Sequence, residues 1–126
     1  MDPNTQQRPG VSDAAVMAKA TIRAAERLGI KSKTLAKIIG VSEATVSRMR
    51  QGEYPLEPHQ KPFELAVLFV RLFRSLDAMT DGDEKVAAAW LVNDNSALGG
   101  RPIDLIQTVS GLGNVIQYLD ARRALV

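Results

Sequence analysis

The sequence predicts an all-α protein, and three observations carry that prediction. Ala, Leu and Val dominate a chain that is 45% apolar but only 5% aromatic, which favours helices over a sandwich needing β-branched and aromatic faces. Apolar residues recur at three- and four-residue steps, the period of an amphipathic helix. Ser, Pro and Gly stand where such stripes begin and end, as helix caps and breakers do. At 126 residues there is room for one ordinary domain or for two small helical modules sharing a core.

Residues 1–11 are polar, hold two prolines and show no periodicity, so a flexible tail is expected there. Ser12 is the expected N-cap of a helix reaching about Leu28, with Met17, Thr21, Ala24 and Leu28 on one stripe and Gly29 ending it. Ser32 to Gly52 divides into two short helices around Gly40. Pro55, Pro58 and Pro62 then interrupt helix formation, and Pro62 suits the first turn of a new helix from about Phe63 to Leu76. Its run Leu65 to Val70 is apolar on every side and must be covered on every side, as a central strut or as part of a dimer interface. Thr80 with Asp83 reads as a capping-box start for a helix containing Val86 to Leu91. A loop rich in turn formers follows, from Asn93 through Gly99 and Gly100. Pro102 opens a short helix to about Val109, and Gly111 and Gly113 separate it from a last amphipathic helix. In that helix Val115, Ile116, Leu119 and the stem of Arg122 are expected to face inward.

Composition removes whole classes of function. With no Cys there is no disulfide, no thiolate zinc site and no cysteine nucleophile, and a reducing cytoplasm is compatible with that. The single His, His59, sits in a proline-rich connector with no nearby partner in sequence, so a metal site or a Ser-His-Asp arrangement starts far behind. Asp81-Gly82-Asp83-Glu84 lacks the spacing of a calcium loop, and helix capping explains it. No run approaches the ~20 apolar residues of a membrane span, and the first ten residues lack the basic start and apolar stretch of an export signal. A cytoplasmic protein without a cofactor is expected. Charge is uneven: residues 1–76 hold 12 Lys and Arg against 7 Asp and Glu, whereas 77–126 hold 4 against 7. The basic half is where a polyanion would dock.

The segment Ser32 to Gln51, S-K-T-L-A-K-I-I-G-V-S-E-A-T-V-S-R-M-R-Q, has a reason for each residue if it folds as two helices about a tight turn. Ser32 caps the first helix, Ala36 is small where the second crosses it, and Gly40 supplies a positive φ. Leu35, Ile39, Val41, Val46 and Met49 make the apolar seam, and Ser42 caps the second helix. Helical geometry then turns Glu43, Ala44, Ser47 and Arg48 outward, with Thr45 and Arg50 at the flanks. Arg48 has the geometry to pair twice with guanine, while Ser and Ala allow close approach to base edges. Lys33, Lys37 and Arg50 are placed for phosphates. Glu43 either accepts from cytosine or offsets the dipole of its own helix.

This segment resembles the phage-repressor-like domain of Xre-type regulators. From Pro62 onward, F-E-L-A-V-L-F-V-R-L, A-W-L-V-N-D-N-S-A-L-G-G-R-P-I-D-L-I and V-I-Q-Y-L-D-A are similar to the C-terminal domain of Xre/MbcA/ParS antitoxins. Trp90-Leu91, Asn95, Leu98, Pro102, Asp104-Leu105-Ile106 and Gly111 match the family pattern. Asp94, where a Pro is common, and the ending Arg122-Arg123-Ala124-Leu125-Val126 depart from it. The resemblance implies a tail over 1–11, a helix-turn-helix DNA-binding domain over 12–61 and a helical toxin-binding or dimerisation domain over 62–126. It implies a RES-domain toxin that consumes NAD or transfers ADP-ribose as partner, covered at its cleft by the antitoxin's C-terminal end. Operator DNA is the second partner, bound by a homodimer.

The DNA-binding set is then Lys33, Ser42, Glu43, Ala44, Thr45, Ser47, Arg48 and Arg50. The toxin-binding set is Trp90, Asn95, Leu98, Arg101, Arg122, Arg123 and Val126. Each has a structural reading too: Trp90 as the largest core residue, Gly99-Gly100 and Pro102 as direction setters, and Arg122 and Arg123 as cations favoured at a helix C-terminus. A stand-alone regulator whose C-terminal half only dimerises or senses a small molecule is the alternative of another class. An enzyme is a distant third, for want of paired acids or a usable His.

Overall fold

The structure is a computed structural model, and it describes residues 12–53 and 55–124. The expected tail over 1–11 and the candidate contact Val126 lie outside the described residues. The described residues form seven helices: α1 (Asp13–Arg27), α2 (Ser32–Ile39), α3 (Glu43–Arg50), α4 (Lys61–Met79), α5 (Glu84–Val92), α6 (Pro102–Leu105) and α7 (Val109–Ala124). Among them the only β feature is an isolated antiparallel bridge between Asn95 and Gly100. The all-α prediction holds.

Local signals placed most boundaries. Ser12 caps α1 by accepting from the Ala15 N–H at 3.1 Å. The helix closes with paired bonds from Gly29 N–H to Glu26 and from Ile30 N–H to Ala25, Gly29 sitting at φ 69°. Gly40, at φ 73°, turns the chain between α2 and α3, and a Cβ there would lie 3.5 Å from Leu65. Pro62 occupies the first turn of α4, as expected.

Four expectations need correction. Ser32 is not a cap: Lys31 holds that position, and the Ser32 hydroxyl accepts instead from Arg50 Nε at 2.8 Å. Thr80 does not start α5. Its hydroxyl donates to the Leu76 carbonyl at the end of α4, and Asp83 is the cap, accepting from the N–H groups of Lys85 and Val86. The turn between them, with Asp81 at φ 52° and Gly82 at φ 76°, separates the two helices. Gly111 and Gly113 do not separate helices either; both lie inside α7. Gly111 is there because a Cβ would run into the Leu105 backbone carbonyl, so only glycine lets the end of α6 lie against the first turn of α7. Finally, the Arg122 stem does not face inward. Arg122 is exposed and lies over the Tyr118 ring, 5.9 Å from its centroid.

The core is organised around α4. Leu65, Ala66, Phe69, Val70, Leu72 and Leu76 are buried along it, and α1, α2, α5 and α7 all pack against it. This is the strut arrangement: the apolar run is covered mostly by the chain itself, leaving Val67 41% exposed. Phe69 is fully buried, and with Leu35, Ile39 and Val46 on one side and Leu112, Val115 and Leu119 on the other it belongs to one continuous core.

Candidate functional site

Two surfaces stand out, and the first is the outer face of α3. Val46 and Met49 are buried against α2 and the rest of the core, which turns Glu43, Ala44, Ser47 and Arg48 to solvent, with Thr45 half-buried at the flank. Ser42 fixes the start of this helix by accepting from the Thr45 N–H at 3.1 Å. Its hydroxyl also lies 3.0 Å from Thr45 Oγ1, and Thr45 Oγ1 accepts from Arg48 Nη2 at 3.2 Å. Ser42, Thr45 and Arg48 thus form a hydrogen-bonded chain along the exposed edge, which holds the guanidinium close to the helix. Lys33 and Lys37 are exposed on α2. Arg50 is exposed but tied to Ser32, so it also fastens α3 to the start of α2. All eight residues of the first candidate set therefore sit on the helix pair or the turn joining it.

The second set, in the C-terminal half, is dispersed. Trp90 is half-buried rather than deep in the core, and it stacks on Tyr118 with ring centroids 6.3 Å apart and an interplanar angle of 23°. With Arg122 over the far ring, α5 and α7 carry a Trp90–Tyr118–Arg122 stack. Asn95 is a loop organiser: its side-chain oxygen accepts from the Leu98 N–H, and its carbonyl receives the N–H groups of Gly99 and Gly100. Leu98 packs partly against the core. Arg101 is exposed and forked onto Asp104 through bonds of 2.9 and 3.1 Å, which raises the guanidinium's pKa and holds the carboxyl below its ordinary value. Arg123 is no free terminal cation. It donates to Ser75 on α4 at 3.3 Å.

That bond belongs to a cluster that sequence reasoning missed. Asp120 accepts from Ser75 at 3.0 Å and from Arg71 at 2.6 Å, and Arg123 completes the group. The Ser75 hydrogen bond and then the Arg71 and Arg123 charges hold the Asp120 carboxyl below its ordinary range, against an opposing contribution from burial. Arg71 and Ser75 are four residues apart, and Asp120 and Arg123 three apart, so each pair shares a helix face. Nothing in the sequence says that those faces meet across some 45 intervening residues. Among the described residues no group of three or more His, Asp or Glu side chains is placed to hold a metal ion, and no helix is long and apolar enough to cross a membrane.

Comparison with known proteins agrees with this two-part geometry. No curated protein matches the chain. The family model of the antitoxin Xre-like helix-turn-helix domain matches residues 7–71, which include α1, α2 and α3. The model of the antitoxin Xre/MbcA/ParS C-terminal toxin-binding domain matches residues 75–124, from the last turns of α4 to the end of α7. The α2–α3 pair crossing about Gly40 and the helical unit built on the end of α4 are these two domains in order, and the chain belongs to the Xre-like helix-turn-helix antitoxins.

Proposed function

We propose that the protein neutralises a RES-domain toxin that consumes NAD or transfers ADP-ribose, by covering its cleft with the C-terminal region, and represses its own operon by binding operator DNA. The observation that carries the reading is the joining, on one α4, of an exposed, pre-bonded α3 face to a matched toxin-binding domain. In this reading Arg48 takes guanine in the major groove and Ala44 and Ser47 leave room for the base edges. Ser42 and Thr45 hold Arg48 in register, Glu43 lies at the helix start, and Lys33, Lys37 and Arg50 meet phosphates. A homodimer sets two such helices about 34 Å apart on a palindromic operator in the cytoplasm.

On the toxin side, Trp90 and Arg122 present the aromatic and cationic stack, and Arg101 and Arg123 supply charge elsewhere on the domain. Asn95 and Leu98 act by shaping the loop, and the C-terminal end with Val126 reaches the cleft. The test is to tag the N-terminus and purify the chain from its native cells. A near-stoichiometric companion that depletes NAD when expressed alone is expected, together with retardation of the operon's promoter DNA by the chain. Recovery of the chain alone, still retarding that DNA, would leave a plain regulator. Truncation after Asp120 is expected to abolish neutralisation; full protection by the shortened chain would remove the tail from the mechanism.

A further inference from the structure

The groove between α1 and α4 carries a chemistry that neither surface above uses. Its floor is apolar, with Val16 54% exposed beside Phe73 and Val70. Its walls are cationic: Lys19 and Arg23 from α1 and Arg74 from α4, none of which forms a salt bridge among the described residues. Arg74 also lines the neighbouring cleft where Arg71, Ser75, Asp120 and Arg123 converge, so three arginines and one carboxylate share its lining. A basic strip therefore runs from the polar cleft at α7, inside the matched toxin-binding domain, across α4 onto α1 in the other domain, and its apolar floor lies at the α1 end.

The occupant of such a strip is narrowed by its two chemistries. Two copies of the chain paired symmetrically here would set like charges against like. Duplex DNA would use the cations but leave the apolar floor against a charged backbone. An amphipathic helix with an apolar ridge flanked by Asp and Glu satisfies both, its ridge in the floor and its carboxylates on the guanidinium forks. Because the strip is continuous with the toxin-binding domain, we propose that it is a second docking surface for the toxin, taking an acidic amphipathic helix and extending the toxin's footprint onto α1. This rests on the antitoxin reading above.

The experiment uses the full chain and the companion toxin it copurifies with. Arg23→Glu with Arg74→Glu is expected to weaken toxin binding by about tenfold or more and to flatten its salt dependence, because exposed charges are screened by salt. Val16→Ser, which removes apolar surface from the floor without adding a charge, is expected to weaken it as well. Promoter retardation and the thermal midpoint should stay at the wild-type values. If the double reversal fails to fold, Arg23→Gln with Arg74→Gln gives the same comparison at lower charge. Toxin affinity equal to wild type overturns the inference alone, as does a loss confined to promoter DNA, which would make the strip a nucleic-acid surface. Failure of the unaltered chain to bind the companion overturns the antitoxin reading and the docking surface with it.

Discussion

The α3 face and the C-terminal surface are assembled in opposite ways. The first rests mainly on one helix of eight residues, its own cap and the turn before it, with bonds spanning three positions from Ser42 to Thr45 and from Thr45 to Arg48 and one of 18 positions from Arg50 to Ser32 on α2. The second is drawn from α4, α5 and α7, with bonds spanning 45 to 49 positions. A locally built face can be altered side chain by side chain while the fold stands; a face built from distant segments is tied to the packing that brings them together. Changes at Arg48 should therefore read out function, and changes around α7 should read out stability first.

The comparison breaks most severely at the shared core. Phe69→Ala removes a fully buried ring on the strut common to both regions and is expected to cost ~3–5 kcal/mol, lowering both activities in a single thermal transition. Two separated transitions would mean that the halves fold independently. Gly111→Ala should cost about 3 kcal/mol by driving a methyl group against the Leu105 carbonyl. Its effect is expected on the toxin side first, measured as lost neutralisation with promoter retardation retained at low temperature.

Arg48→Ala should leave the melting temperature alone and weaken operator binding by ~1–3 kcal/mol in a titration at fixed salt. Neutralisation should be untouched, and joint loss of both activities would end the idea of separable sites. Ser42→Ala removes the α3 cap for ~1 kcal/mol of stability, and it should also loosen Arg48 through Thr45, giving a drop in DNA affinity of the same order.

The smallest effect concerns acid. The Asp120 carboxyl is held below its ordinary value in the folded chain, so it favours folding above the unfolded pKa of about 4 and loses that contribution as pH falls through the folded value. The side chain is 35% exposed and solvent screens it, so Asp120→Asn should change stability little at neutral pH and flatten the acid limb of a denaturation series slightly.

The same contrast explains what could be read from the sequence. The helix count, the α2–α3 pair, Gly40, the Ser42 cap and the outward face of α3 were legible because each is written within a few neighbouring residues. Capping at Thr80 and Ser32 was misread because several residues near a helix start can each serve, and the choice depends on the preceding turn and on a distant arginine. Gly111 reads as a breaker in the sequence because its cause, the Leu105 carbonyl, is visible only once α6 lies on α7. The Ser75–Asp120–Arg71–Arg123 cluster was illegible for the same reason, and Trp90 could be matched to a family position but not paired with Tyr118.

One consequence of α4 concerns bearing rather than strength. Nineteen residues of unbroken helix, ~28 Å long at about 1.5 Å per residue, pass from the helix-turn-helix unit into the C-terminal one. The helix acts as an axle: whatever is held at one end has a set angular phase relative to whatever is held at the other. A single residue inserted in its middle would turn the two ends against each other by about 100°. A toxin held on the α7 side would thus always face the same way around the operator, and that fixed azimuth would decide whether neighbouring complexes on DNA collide or fit together.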